Sequence, residues 1–139
     1  MAELKAGVIG CGGRGKGHAR GYAASEDATV EEFGVERSYT DYREMLETEN
    51  LDIVSVCTWP GMHREMIEAV AASGVKAIHS EKPMAPTWGD AKAIMKACDD
   101  NGVTITFCHQ RRLEASFMKA KQLVKDGAIG DLYRLEGAC

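Results

Sequence analysis

The stretch Gly10-Cys11-Gly12-Gly13-Arg14-Gly15 constrains the chain more than any other. It reads G-x-G-x-x-G and stands between an apolar run, Leu4 to Ile9, and a helix-like segment from Arg14 to about Ala24. The strand-to-helix setting gives the pattern its meaning. Gly10 permits the tight turn out of the strand, Gly12 lets backbone approach a pyrophosphate, and Gly15 lets the helix pack closely on the sheet. An anion would sit at the helix N-terminus, where unpaired N–H groups and the dipole favour negative charge. Gly13 and Arg14 lie in that same turn, and Arg14, Lys16 and Arg20 are either phosphate neighbours or a solvated helix face. A glycine-rich turn without a ligand is the plainer alternative; the buried strand before it favours dinucleotide binding.

Beyond the loop, apolar runs alternate with helical patterns. Leu51 to Cys57 is the clearest strand, rich in β-branched residues and almost continuously apolar, as a parallel strand covered on both faces should be. Val75 to His79, Val103 to Cys108 and Leu132 to Leu135 read as further strands. Thr29-Val30 starts one that stops at once, and Glu31 to Val35 reads as a helix end capped by Gly34. Tyr42, Met45 and Leu46 mark a short helix opened by Asp41. Met66, Ile67, Val70 and Ala71 mark the helix closed by Gly74. Ala91, Ile94, Met95 and Cys98 form the stripe of one capped by Thr87 and ended at Gly102, and Phe117, Ala120, Leu123 and Val124 mark a last helix ending at Gly127. This alternation predicts βαβ units and a parallel sheet of the α/β class.

Composition excludes several classes of function. A chain of 139 residues can remove about 70% of its unfolded surface from water without a staple. Its net charge of −4 offers no basic field to nucleic acid. No run reaches the length of a membrane span, and Met1 to Ile9 lacks the basic start and longer apolar core of a signal peptide, so a cytoplasmic location is expected. The five cysteines are odd in number and show no C-x-x-C spacing. Neither a disulfide framework nor a metal site is expected from them, only small buried groups in a reducing compartment.

Ligands of such sheets bind outside the carboxyl ends of the strands, and three of those ends carry polar clusters. In Thr58-Trp59-Pro60-Gly61-Met62-His63, Thr58 offers a hydroxyl and His63 a ring nitrogen; by itself His63 reads better as a helix-start hydrogen bonder. In Glu81-Lys82-Pro83 the charged pair is ordinarily a surface ion pair, but a cis bond before Pro83 would be one way of aiming Lys82 into a cleft. In His109-Gln110-Arg111-Arg112 a fixed guanidinium such as that of Arg111 could hold a carboxylate, a phosphate or a polyhydroxylated substrate. The alternative there is a basic lead-in to a helix.

Taken together, these motifs make the chain resemble the amino-terminal half of the Gfo/Idh/MocA oxidoreductases, the family of glucose-fructose oxidoreductase and inositol dehydrogenase. Four motifs in the right order and at suitable spacing are far more specific than the glycine loop alone. The resemblance implies a Rossmann-type doubly wound sheet over residues 1–128, with 129–139 as the start of a truncated substrate domain. It implies that Gly10, Gly12, Gly13, Arg14 and Gly15 hold the pyrophosphate of NAD or NADP, that Thr58, Pro60 and His63 line the cofactor cleft, and that Arg111 adds to cofactor binding. Glu81 would contact the nicotinamide-side ribose. Lys82 would be the catalytic lysine, hydrogen-bonded to a substrate hydroxyl while hydride passes to the nicotinamide. Trp59 and Cys108 depart from the family's usual proline and glycine.

Two larger departures bear on function. The family's second strand, ending in an acidic residue about 20 residues past the third glycine, is mostly missing with its helix, because Val30 runs straight into Glu31-Glu32-Phe33. Glu31 would be only a makeshift ribose acceptor, and the first strand would keep an unpaired edge. The substrate domain's catalytic aspartate and histidine are also absent from the sequence. The expected activity is hydride transfer between NAD(P) and a sugar, polyol or related hydroxyl compound, with a homo-oligomer where the substrate domain is present. The rivals are a non-catalytic nucleotide-binding or interaction module and an NAD-dependent glycosidase of the same family.

Overall fold

The computed structural model describes residues 4–23 and 37–137. The chain forms two compact units, Met1–Cys108 and His109–Cys139. The first holds β1 (Ala6–Ile9), α1 (Gly13–Ala23), α2 (Tyr42–Thr48), β2 (Ile53–Val56), α3 (Pro60–Ala72), β3 (Ala77–Ser80), α4 (Trp88–Asn101) and β4 (Thr104–Phe107). The second holds a short 3₁₀ helix, Gln110–Leu113, and α5 (Ala115–Lys125).

The four strands are parallel in the order β1-β2-β3-β4, the arrangement of strands 1-4-5-6 in a doubly wound sheet. The predicted strand start at Thr29-Val30, the helix end at Glu31 to Val35 and the ribose acceptor Glu31 lie outside the described residues. Among the described residues, β1 pairs with β2 alone.

Register gives the two sheet faces different chemistry. Val54 is opposite Ile78, and Ser55 is opposite His79. Because side chains alternate, Ile9, Val54, Val56 and Ile78 point to one face. There they join Met66, Ile67, Val70 and Ala71 of α3 and Ile94 and Cys98 of α4 in the core. On the other face, Val8, Ser55, His79 and Thr106 form a row across the strands. Two residues further on, the ladder continues through Cys57, Glu81 and Cys108, whose N–H groups donate to the carbonyls of Ile9, Val56 and Ser80 at 2.8, 2.9 and 2.8 Å. That brings Cys57, Glu81 and Cys108 to the same polar face, at its carboxyl end.

The predicted caps Asp41, Thr87 and Gly102 form. Thr87 Oγ1 accepts from the Asp90 N–H at 3.1 Å, and Gly102 closes α4 with a left-handed φ of 66°. Three expectations are corrected. Met95 is exposed, because the buried stripe of α4 runs through Ile94, Ala97 and Cys98. Leu132 to Leu135 is irregular rather than a strand; no described strand pairs with it, and Leu132, Tyr133 and Leu135 are exposed. Of the four cysteines described, none in a disulfide, only Cys98 is fully buried.

Asp52 ties the strand starts together, accepting from the Lys5 N–H at 2.9 Å and pairing with Lys76 Nζ at 2.6 Å. The Lys76 ammonium, followed by the Lys5 N–H, holds its carboxyl below the usual range. A carboxyl depressed in this way stabilises the fold above its unfolded pKa, and the contribution is lost as pH falls through the folded value. Asp52→Asn should therefore lower the Tm modestly at pH 7, with the gap to the parent protein closing below about pH 4. A gap that stays constant across that range in thermal scans would contradict this.

Candidate active site

The glycine loop is shaped by contacts that no side chain could occupy. Gly10 has φ 94°, and a Cβ there would lie 2.8 Å from the Cys57 carbonyl oxygen and 2.9 Å from Thr58 Cγ2. A Cβ on Gly15 would lie 2.1 Å from the Gly10 carbonyl oxygen. Gly12 and Gly13 face open space, with nothing within 4 Å of a Cβ at either. Two glycines thus let the turn close on itself, and two leave bare backbone at the start of α1. The first turn of α1 carries no acidic side chain. A cradle of exposed backbone at a helix N-terminus fits a pyrophosphate.

Thr58, Pro60 and His63 gather where β2 passes into α3. Pro60 is the first residue of α3, a position where its missing N–H costs nothing. Thr58 Oγ1 contacts Met66 Sδ at 3.3 Å. His63 is fully buried, with Nε2 3.1 Å from the Thr58 carbonyl and Nδ1 3.0 Å from that of Pro83. Its ring pins the β2–α3 turn to the segment after β3, so the helix-start hydrogen-bonding role is the one displayed.

That segment begins with Glu81-Lys82-Pro83. The Lys82–Pro83 bond is cis, and Lys82 is exposed. Glu81 is only 5% exposed, yet donors surround it. His18 Nε2 is 3.4 Å and Arg14 Nε 3.9 Å from Oε1, and the Lys82 N–H donates to Oε2 at 3.3 Å. Burial pushes the Glu81 carboxyl upward, but His18, the Lys82 N–H, Arg14 and the Cys108 thiol together hold it below its ordinary value. The structure thus joins the glycine loop to the Glu81-Lys82-Pro83 triplet at one end of the sheet, while Arg111 belongs to the 3₁₀ helix of the second unit.

Sequence reasoning missed His18, Tyr22 and His79. Tyr22 Oη is 2.8 Å and His18 Nδ1 3.0 Å from Ser55 Oγ. The imidazoles of His18 and His79 lie 5.0 Å apart by centroid, and His79 Nδ1 is 2.8 Å from Thr106 Oγ1. Burial and then His18 push the His79 imidazole below its usual range. Burial, with Glu81 nearby, pushes the Cys57 thiol up to about 12, so Cys57 is a protonated, unreactive thiol. The available signal was strand alternation, which puts His79 with Glu81 and Thr106 with Cys108 on one face.

The parallel sheet, the glycine loop and the helix start define a nucleotide-binding α/β domain. Residues 4–109 match the model of the oxidoreductase family with an NAD-binding Rossmann fold, GFO_IDH_MocA, and the chain belongs to that family. It is 32% identical to the D-apiose dehydrogenase of Paraburkholderia graminis, over 94% of this chain and 38% of that protein. Among solved structures it resembles the myo-inositol 2-dehydrogenase of Lactobacillus plantarum, with a TM-score of 0.86 and 26% identity over 94% of this chain and 43% of that one. It also resembles the scyllo-inositol dehydrogenase of Lactobacillus casei with bound NAD(H) and scyllo-inositol, with a TM-score of 0.84, 26% identity and the same coverage. The chain spans less than half the length of these relatives. No helix among the described residues is long and apolar enough to cross a membrane.

Two predictions follow from these contacts. Gly15→Ala should lower stability by about 1–3 kcal/mol through overpacking, whereas Gly17→Ala, on an open face of the same helix, should raise it by about 0.5–1 kcal/mol; urea titration of both separates packing from helix propensity. His63→Ala should cost at least about 1–3 kcal/mol, because a fully buried ring is lost with its hydrogen bonds to the Thr58 and Pro83 carbonyls, and a Tm equal to the parent's would refute the clamp.

Proposed function

We propose that the protein is an NAD-dependent oxidoreductase that moves hydride between the nicotinamide and a hydroxyl-bearing carbon of a sugar, polyol or related compound. The observation that carries this reading is the Arg14–Glu81 pair at 3.9 Å, which brings the glycine loop and the Glu81-Lys82-Pro83 triplet to the same strand ends. Backbone of Gly10 to Gly15, with Arg14 beside it, holds the pyrophosphate. Thr58, Pro60 and His63 shape the wall of the cleft, and Glu81 accepts from a ribose hydroxyl. When bound, the nicotinamide supplies the hydride acceptor or donor. Lys82 hydrogen-bonds the substrate hydroxyl through Nζ and fixes its oxygen while the neighbouring C–H bond breaks. NAD is preferred to NADP because the similar Lactobacillus casei enzyme was solved with NAD(H). Residues 1–128 serve as the dinucleotide-binding domain, and 129–139 open the substrate domain.

NADH titration monitored by nicotinamide fluorescence, followed by turnover with inositols and apiose, tests the reading. Gly12→Val should abolish NADH binding without loss of fold, since a Cβ there meets nothing. Lys82→Ala should leave NADH affinity little changed and cut turnover about 10²–10⁴-fold. Undiminished hydride transfer in Lys82→Ala would remove the role given to that lysine, and NADH binding that survives Gly12→Val would remove the pyrophosphate site.

A further inference from the structure

On the polar face of the sheet, three metal-ligating side chains from three separate elements converge. We propose that His18 of α1, His79 of β3 and Cys108, the residue after β4, bind a zinc ion. One donor atom of each lies within 4.8 Å of those of the other two, and all three residues are half-buried. Zinc–nitrogen bonds of about 2.0–2.1 Å and zinc–sulfur bonds of about 2.3 Å place tetrahedral donors roughly 3.3–3.6 Å apart. Side-chain rotations moving each donor by about 1 Å therefore close the site.

The surroundings already orient the two rings as metal ligands need. His18 Nδ1 is 3.0 Å from Ser55 Oγ, and His79 Nδ1 is 2.8 Å from Thr106 Oγ1. With each Nδ1–H donated to a hydroxyl, Nε2 is the atom each ring has left for a cation, which at His18 would displace the contact of Nε2 with Glu81. Tyr22 Oη, 2.8 Å from Ser55 Oγ, holds that hydroxyl in place. Two imidazoles and a thiolate are a borderline-soft set suited to zinc. The Glu81 carboxylate, 3.4 Å from His18 Nε2 and bonded to the Cys108 thiol, stands ready for the fourth position. On binding, the Cys108 S–H bond breaks, its electron pair goes to zinc and its proton to water, with no change of oxidation state. Zinc binding at these side chains does not require the protein to bind a dinucleotide.

Cobalt(II) chloride added to reduced, tag-free protein reads the site directly. The expected result is a thiolate-to-cobalt charge-transfer band in the near ultraviolet that saturates at one equivalent and is bleached by zinc chloride. Cys108→Ser should abolish the band, while Cys11→Ser and Cys57→Ser retain it. His79→Gln should weaken cobalt binding at least about tenfold, and Thr106→Val, which leaves every ligand in place, about tenfold through lost orientation. A parent protein without the band, or a band that survives Cys108→Ser, overturns the proposal. So does unchanged affinity in His79→Gln or, where that variant does not fold, in Thr106→Val.

Discussion

The place a side chain would take on Gly15 is filled by the Gly10 carbonyl oxygen, 2.1 Å from an ideal Cβ, and the polar half of the molecule depends on that contact. It pins the first turn of α1 against the turn out of β1 and so fixes the helix over the sheet. Positions i+3 and i+7 from Gly15 are His18 and Tyr22, which share its helix face. Both reach Ser55 on β2, and His18 reaches Glu81 beyond β3. A helix displaced by even a methyl group would lose these contacts together.

The sheet divides stability from chemistry. On one face Val54, Val56 and Ile78 pack against Ile67, Val70, Ile94 and Cys98, all essentially inaccessible to water. Full burial of such a side chain is worth about 1.5–3 kcal/mol, whereas a neutral hydrogen bond nets only about 1 kcal/mol. The apolar face therefore stabilises the fold, and the other face can carry serine, histidine, threonine, cysteine and glutamate. Each of those polar groups needs a partner once α1 covers it, and among the described residues no buried side-chain nitrogen or oxygen lacks one.

Much of this was legible in the sequence, for identifiable reasons. The strands around Ile53 to Val56 and Ala77 to Ser80 are short apolar runs bounded by turn residues, and α4 is marked at both ends by Thr87 and Gly102. The glycine loop was readable because Gly10 and Gly15 answer local backbone demands. Leu132 to Leu135 misled because an apolar alternation becomes a strand only beside a partner edge. The Cys108, His79 and His18 cluster was not readable from spacing, since its members are 29 and 61 residues apart in sequence and meet only through strand register and the packing of α1 on the sheet. A ligand set assembled by register and helix packing leaves no short motif, unlike a C-x-x-C pair held on one turn.

Glu81 is where these features meet. A buried carboxylate is tolerated only when hydrogen bonds and opposite charge replace its lost hydration. Here the replacements come from separate elements: Arg14 and His18 on α1, the backbone of the following residue, and the thiol after β4. Their combined effect outweighs burial and keeps the group ionised. Because each donor is anchored elsewhere, the carboxylate also orients the glycine-loop helix relative to the ends of β3 and β4. Removing its charge would therefore unsettle a junction rather than one contact, leaving Arg14 and His18 without their common acceptor at the strand ends where the proposed chemistry sits.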